Sequence, residues 1–372
     1  MTRLSKMHPY QLTGRALHKA LATAALAACA PAASSFEMYP VALKGGAYAK
    51  QTNLELDQLV FQSEADIAAC GLSERRYANG NYRPLHEAIT RSAYKAVGQP
   101  IGRESWVSPK VAGAIWNDDP EYLARKAWHY GGLRKANYYV RLMAEHPESA
   151  KDEVSLTRRS HYGDLQFLHA MAPRRDGQPQ SQKDTRKALY VWTRAAYEVA
   201  TGVIGESSKL ADTSLGSVLP GYACTGRYSY TTKSCTVLDL FDLSFFWRAE
   251  QDSICDARQR ELGLTAKQCV TRDLAIGALL HTLQDSFSSS HVERGGDMVP
   301  QQFMSYPNDR HCEGDLAVER NRPNIDAALK ASTQILDLYS RQESWAKVEP
   351  YIATIFGISE QERAEFDKAY PR

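Results

Sequence analysis

A histidine and an aspartate lie inside an apolar helical stretch near the middle of the C-terminal half, and they restrict what this chain can fold into. Residues 274–283 are almost wholly apolar, a pattern typical of a buried helix. His281 and Asp285 are one helical turn apart and therefore share a face. His291 follows six residues later, about 120° further around a helix. Buried ionisable groups are costly unless they are paired or bound to an ion, so the pattern predicts a metal cluster, with a helical ion pair beside an unrelated histidine as the alternative.

The spacing of His281, Asp285 and His291 resembles the central metal-binding signature, HxxxDxxxxxH, of the zinc-dependent phospholipases C and the related single-strand nucleases. The continuation from Asp285 to Arg294 is more similar to the bacterial metallophospholipase C branch, because the His-Gln-Pro usual in the nucleases is absent. We therefore expect hydrolysis of a phospholipid phosphodiester bond by zinc-bound hydroxide, with a phosphatidylcholine-like lipid as substrate. An exported zinc-dependent nuclease or phosphatase is the alternative, followed by a non-enzymatic zinc-binding lipoprotein.

Two earlier segments resemble further ligand segments of that family. His161, within Ser-His-Tyr-Gly-Asp, matches the segment that supplies a histidine to the first metal, although it could also be a core histidine. Asp118 occupies the matching position of a Trp-x-Asp segment, and its neighbour Asp119 is the alternative. His169, between apolar residues, is interpreted as a core histidine and is left out of the ligand set.

Two more segments resemble the ends of the family's ligand series. His311 and Asp315 repeat the one-turn spacing and match the last ligand pair, which often ends in Glu. His86 lies early, where the family has a histidine for a third ion, but it could also simply occupy the first turn of a helix. The amino-terminal Trp that chelates zinc in the classical enzymes has no counterpart unless processing occurs well inside the chain, and binding of three ions would otherwise require Glu87 or another group to replace it.

The resemblance implies two or three Zn²⁺ ions and a role for each residue. The residues expected at the first ion are His161, Asp118, His281 and Asp285, and those at the second are His291, His311 and Asp315. His86 would help to bind a third ion, and Asp285 would bridge two ions. Asp118 or Asp119 would act as the base for the attacking water. Arg294 would contact the phosphate, or else form a structural ion pair.

The amino terminus predicts export. Residues 1–28 combine four basic residues with a short Ala/Leu-rich run, as in a signal peptide that is too short to span a membrane. The sequence Leu-Ala-Ala before Cys29 resembles a bacterial lipobox, in which Cys29 is acylated, and residues 29–40 would form a tether. The alternative is an ordinary signal peptide cleaved nearby. The protein would then be a lipoprotein of the periplasm, outer membrane or cell surface, or a secreted protein.

Loss of residues 1–28, which carry four basic and no acidic residues, would change the net charge from +2 to −2. This balance argues against a stable nucleic-acid partner. Besides Cys29, six cysteines remain, an even number that favours disulfides in an exported chain. Local spacing favours the pairs Cys224–Cys235 and Cys255–Cys269, which would leave Cys70 with Cys312.

Helical periodicity dominates the rest of the sequence and predicts one all-α domain, 41–372, with a metal cluster in a cleft between helices and a loop insertion with a hairpin at 205–236. The predicted helices are 85–97, 122–145, 161–171, 183–203, 237–251, 266–287, 315–341 and 361–370. After processing, the sequence predicts no transmembrane segment, and the expected partner is phospholipid at a membrane surface.

Overall fold

The structure, a computed structural model, describes residues 55–59, 61, 85–99, 101, 108–118, 120, 156–219, 223–225, 229–231, 235–241, 255–306 and 314–369. The expected signal peptide at 1–28, the tether at 29–40, the acylation site Cys29 and the helix at 122–145 lie outside these residues. Among the described helices, none is both long and apolar enough to cross a bilayer.

The all-α class predicted from the sequence is confirmed. The described residues form eleven α-helices: α1 Leu85–Ala96, α2 Pro109–Gly113, α3 Leu156–Tyr162, α4 Gln182–Thr201, α5 Ser214–Val218, α6 Val237–Leu240, α7 Ala257–Glu261, α8 Ala266–Asp285, α9 Arg322–Ser340, α10 Trp345–Phe356 and α11 Glu360–Ala369. They also form three antiparallel two-stranded sheets: β1 Arg174–Arg175 with β2 Gln178–Pro179, β3 Ala223–Thr225 with β4 Ser229–Thr231, and β5 Val292–Arg294 with β6 Pro300–Phe303.

Helix α8 is the central element of the described fold. It starts in a capping box, in which the Thr265 side chain accepts from the Gln268 amide and the Gln268 side chain accepts from the Thr265 amide. From Cys269 onward nearly every side chain is buried, as expected of a helix that is apolar on all faces. Helices α2, α4 and α9 pack around it. The predicted cluster residues on α8 therefore lie in the protein core.

The crossing of α8 and α2 is unusually close. A Cβ atom on Gly277 would lie 2.5 Å from the Cα of Gly113, so both positions require glycine. This contact fixes α2 and the turn after it, which carries Asp118, against the middle of α8. The last turn of α8, with His281 and Asp285, is thereby held close to Asp118.

Four predicted helices, 85–97, 183–203, 266–287 and 361–370, are confirmed to within two residues at each end by α1, α4, α8 and α11. Two predictions were wrong. The helix expected at 161–171 is the end of α3, a turn and a separate 3₁₀ turn, Gln166–His169, which ends at Ala170 in a left-handed conformation with φ 52°. The helix expected at 315–341 begins at Arg322, after a 3₁₀ turn and with a proline in its first turn.

Other predictions were incomplete. Of the helix expected at 237–251, the described part contains α6, which ends at Leu240. The expected insertion at 205–236 contains the predicted hairpin, β3–β4, and also the short helix α5. Helix α10 was missed, because Pro350 lies inside it and proline usually argues against a helix interior.

The predicted disulfide between Cys255 and Cys269 is confirmed, with Cα atoms 5.4 Å apart. It joins the segment before α7 to the first turn of α8. Cys235 is also disulfide-bonded. The side chain of Cys224, together with Cys70 and Cys312, lies outside the described part of the chain, so the other two predicted pairs stay predictions.

Candidate metal centre

Five segments of the described chain bring imidazoles and carboxylates together in the core. The central cluster comprises His86 on α1, Asp118 after α2, His161 on α3, His169 on the 3₁₀ turn, and His281 and Asp285 on α8. All six side chains are buried, and the most exposed, His161, is 6% accessible. The predicted ligands His86, Asp118, His161, His281 and Asp285 thus meet in one place, and His169 joins them.

Asp285 is at the centre of this cluster, and its two carboxylate oxygens contact different imidazoles. Oδ2 lies 2.9 Å from His281 Nε2 and 2.9 Å from His169 Nδ1. Oδ1 faces the other side and lies 3.2 Å from His86 Nε2. Within the described residues, Oδ1 accepts no hydrogen bond of good geometry. A carboxylate arranged in this way is able to bind two cations at once.

Asp118 is the second carboxylate of the cluster. Its Oδ1 lies 3.8 Å from His281 Nε2 and 3.9 Å from His169 Nδ1, distances too long for hydrogen bonds. Three groups have ligand atoms within 4.8 Å of one another, and these are His86 with Asp118 and His281, Asp118 with His161 and His169, and His169 with His281 and Asp285. Such buried groups could hold a metal ion.

In four imidazoles the Nδ1 atom forms a hydrogen bond, which determines the tautomer of the neutral ring. Nδ1 of His86, His161, His281 and His291 lies 2.6–2.7 Å from an oxygen acceptor. The acceptors are, in the same order, Gln284 Oε1, Thr157 O, Ala114 O and His169 O. Because these oxygens accept, each neutral ring carries its proton on Nδ1 and leaves Nε2 as a lone pair, the tautomer arrangement found in metal-ligating histidines.

His169 is oriented the opposite way. Its Nε2 lies 3.1 Å from Asn117 O and therefore donates, which leaves the Nδ1 lone pair facing Asp285 Oδ2 and His281 Nε2, the latter at 3.1 Å. Lone pairs thus point at one another and at carboxylate oxygens. This arrangement is repulsive unless a cation or a proton lies between them, so the residues fit a bound metal ion.

Burial favours the neutral imidazoles that a metal site requires. Burial and, to a smaller extent, the neighbouring His169 lower the pKa of His161 to about 3. Burial likewise lowers the pKa of His169 to about 4 and that of His281 to about 4, against the opposing effect of Asp285. Near neutral pH these three rings are therefore uncharged and have a nitrogen available for an ion.

The two residues with the opposite behaviour are Asp285 and His291. Burial would raise the pKa of Asp285, but the imidazoles of His281, His291 and His86 outweigh it and hold that pKa well below the usual value. Burial would lower the pKa of His291, but the carboxylates of Asp285 and Asp315 outweigh it and raise that pKa to about 9. Before an ion binds, near neutral pH, Asp285 is therefore ionised and His291 protonated, beside the neutral rings of His161, His169 and His281.

His291 and Asp315, which were predicted at the second ion, lie beside the central cluster. His291 Nε2 is 3.6 Å from Asp315 Oδ2, and its Nδ1 is 3.6 Å from Asp285 Oδ2. The expected third ligand of that ion, His311, lies outside the described residues, as does Asp119. Glu87 is buried on α1 next to His86.

Arg294, the predicted phosphate contact, has its guanidinium in structural contacts. It donates to the main-chain oxygens of Ser286 and Ile355 at 2.8 and 3.0 Å, and also to Met298 O and Ser286 Oγ. The guanidinium carbon lies 4.4 Å from the centre of the Phe287 ring. These contacts tie β5 to the end of α8 and to α10, and a role toward substrate stays a prediction.

Sequence reasoning missed His169. Its apolar neighbours Leu168 and Ala170 suggested a core helix, whereas the 3₁₀ turn directs the ring into the cluster. The available sign was the Gly163-Asp164 pair, which interrupts the helical pattern directly after Tyr162. No family model, curated protein or solved structure matches this chain.

Proposed function

We propose that this protein is a zinc-dependent hydrolase of phospholipid phosphodiester bonds, of the phospholipase C type. The observation that carries the proposal is the convergence of His169, His281 and Asp285, in which two imidazole nitrogens and one carboxylate oxygen lie 2.9–3.1 Å apart. Asp118 and His86 border the same point. The resemblance of the His281–His291 spacing to the zinc-dependent phospholipases C supports the choice of reaction.

Zinc is the metal that this donor set favours. Imidazole nitrogens predominate over carboxylates in the central cluster, a mixture that suits Zn²⁺ better than Mg²⁺ or Ca²⁺. The ligands would be His86, Asp118, His161, His169, His281 and Asp285, with His291 and Asp315 beside them. Bound zinc would lower the pKa of water and neutralise charge on the phosphate oxygens.

The two carboxylates of the cluster have different environments, which suggests different tasks. Asp285 is in contact with three imidazoles and would hold cations on both of its oxygens. Asp118 lies about 1 Å further from the same rings and would accept the proton of the attacking water. Asp119, the alternative base, follows it directly in sequence.

Phospholipid is the proposed substrate rather than nucleic acid. The sequence after Asp285 resembles the phospholipase branch, and the processed chain would carry a net charge of −2. An acylated Cys29 would hold the enzyme at a membrane surface, where its substrate is concentrated. The proposed location is therefore outside the cytoplasm, at or near a membrane.

One observation favours the nuclease alternative. The rings of Tyr162 and Tyr306 pack edge to face at 4.8 Å, and Tyr162 lies 6.2 Å from the His161 ring. Aromatic side chains near the ions are what a nuclease would use to stack an unpaired base. Both rings are buried in a small apolar cluster with Met171, so such stacking would require them to move.

The test is a comparison of two substrates with the mature protein. Phosphocholine release from phosphatidylcholine vesicles and nucleotide release from single-stranded DNA are measured at equal enzyme, with native metal, after chelation and after zinc is restored. We expect zinc-dependent release of phosphocholine with the larger kcat/KM. Faster DNA cleavage would favour the nuclease, and zinc binding with no hydrolysis of either substrate would favour a zinc-binding lipoprotein.

A further inference from the structure

Two serine hydroxyls hold one oxygen of Asp315. Ser288 Oγ donates to Asp315 Oδ1 at 2.5 Å, and Ser290 Oγ donates to the same oxygen at 2.8 Å. The two hydroxyls are 2.6 Å from each other, and the Ser290 amide donates to Ser288 Oγ at 3.2 Å. All three side chains are buried, with 1% exposure at most. The two hydroxyls together hold this carboxyl oxygen in one place.

The backbone around this contact allows little displacement. A Cβ atom on Gly314 would lie 2.5 Å from the Ser290 amide nitrogen and 2.7 Å from the Ser290 Cβ. The segment that carries Asp315 therefore lies directly against the Ser288–Ser290 turn. Asn321 secures the other side of this segment, since its side-chain amide donates to Gly314 O and Leu316 O at 3.3 and 3.0 Å.

With Oδ1 held by the serines, the rotation of the carboxylate is fixed and Oδ2 faces His291 Nε2 at 3.6 Å. His291 is fixed in turn, because its Nδ1 donates to His169 O at 2.7 Å. Two zinc ligands with bonds of about 2.0–2.2 Å in a tetrahedral arrangement lie roughly 3.4 Å apart. The separation of Oδ2 and Nε2 therefore suits two adjacent ligands of one ion.

We propose that Ser288 and Ser290 are positioning residues for a second metal ion, and that they act by orienting Asp315 so that Oδ2 and His291 Nε2 form two of its ligands. This inference rests on the proposed function, because it assumes that the central cluster binds an ion. The serines touch neither the ion nor the substrate. Removal of their hydroxyls would take away two contacts that orient the carboxylate and would weaken binding at this one site.

The test measures metal binding in the absence of substrate. Ser288→Ala, Ser290→Ala and the double variant are depleted of metal, and zinc binding is followed by titration calorimetry and elemental analysis. Each single variant is expected to bind one of the ions about 10–100-fold more weakly, with the affinity for the remaining ions unchanged. If the double variant does not fold, the two single variants still test the proposal.

Gly314→Ala and Ser92→Ala are the matched variants. Gly314→Ala keeps both hydroxyls and the carboxylate but displaces their contact, so the same ion is expected to bind more weakly. Ser92→Ala removes a hydroxyl that accepts the Leu56 amide at 2.8 Å, away from the cluster, and is expected to keep every ion at normal affinity.

The outcomes separate the two proposals. If the natural protein binds no zinc, the proposed function fails. If the natural protein binds at least two ions and Asp315→Asn loses one, while the serine variants keep all ions with unchanged affinity, the positioning role is refuted and the proposed function stands. A fall in the thermal stability of the metal-free serine variants, with unchanged zinc affinity, would also refute it by showing a purely structural role.

Discussion

At the scale of single residues, Asp285 is the side chain on which the cluster depends most. Asp285→Asn keeps the shape of the side chain but removes the charge that holds cations on both oxygens. We expect the variant to lose zinc and to hydrolyse substrate at least roughly 100-fold more slowly, while it stays folded. Elemental analysis, turnover and circular dichroism check this. Near-normal hydrolysis would show that Asp285 is not a bridging ligand.

His169→Ala distinguishes a ligand from a core histidine. In the structure, His169 Nδ1 lies within 3.1 Å of both Asp285 Oδ2 and His281 Nε2, so we expect the variant to bind roughly 10–100-fold less tightly to zinc. Zinc titration of the metal-depleted protein is the measurement. If the variant loses thermal stability but keeps normal zinc affinity, the earlier interpretation of His169 as a core residue would be restored.

The difference between these two residues shows what sequence could provide at this scale. His281 and Asp285 lie on one helix, so their spacing alone predicts that they share a face. The position of His169 depends on the break after Tyr162 and on the left-handed Ala170, which a periodicity argument does not contain. Sequence order suggested that Asp118 and His86 belong to the site, but their distances depend on how α1 and α2 pack against α8.

At the scale of elements, the junction of α2, α7 and α8 contains a buried carboxyl group that affects stability. Burial raises the pKa of Asp273 from 3.8 to about 7, against the opposing effect of Lys110. Gln259 Nε2 donates to Asp273 Oδ1 at 2.8 Å, and Lys110 pairs with Asp256 at 2.8 Å. Because the folded state binds this proton more tightly than the unfolded state, Asp273 favours folding at low pH and this contribution is lost as pH rises toward 7.

Asp273→Asn removes that titration and keeps an oxygen for Gln259. The free energy of unfolding of the variant, relative to that of the natural protein, is expected to rise by about 3 kcal/mol between pH 5 and pH 8. Denaturant unfolding of both proteins across this range is the measurement. A difference that does not change with pH would show that Asp273 has the same pKa in both states.

Element boundaries were predictable where capping and periodicity agree, as in α8 with its Thr265–Gln268 capping box. They were mispredicted where a local residue overrides the periodicity. The start of α9 is set by a proline in its first turn, and α10 continues through Pro350 because its apolar face packs on α4. Tertiary packing decides such cases, and it is not visible in a local window of sequence.

At the scale of the whole molecule, disulfides and metal ligands are separate sources of stability. Mild reduction is expected to break Cys255–Cys269, to lower the unfolding temperature and to leave the zinc content unchanged, because all proposed ligands are His or Asp. Thermal unfolding and elemental analysis before and after reduction check this. Loss of zinc on reduction at a temperature where the protein stays folded would mean that a cysteine is a ligand.

A related measurement tests the expected export. Titration of free thiols in the unfolded, unreduced mature protein is expected to find none besides Cys29. Six free thiols would contradict both the predicted disulfides and the expected oxidising compartment.

The burial of every residue of the central cluster also has a kinetic consequence. The ligands come from five segments: α1, the turn after α2, α3, the 3₁₀ turn and α8. No side chain of the central cluster is more than 6% exposed. Because these ligands are buried in the described core, an ion would leave when the segments separate, whatever the affinity of the external chelator. The exchange of isotopically labelled zinc would then proceed at the rate at which the core opens, independent of chelator concentration. The dissociation rate of the metal would thus report how often the helical core opens.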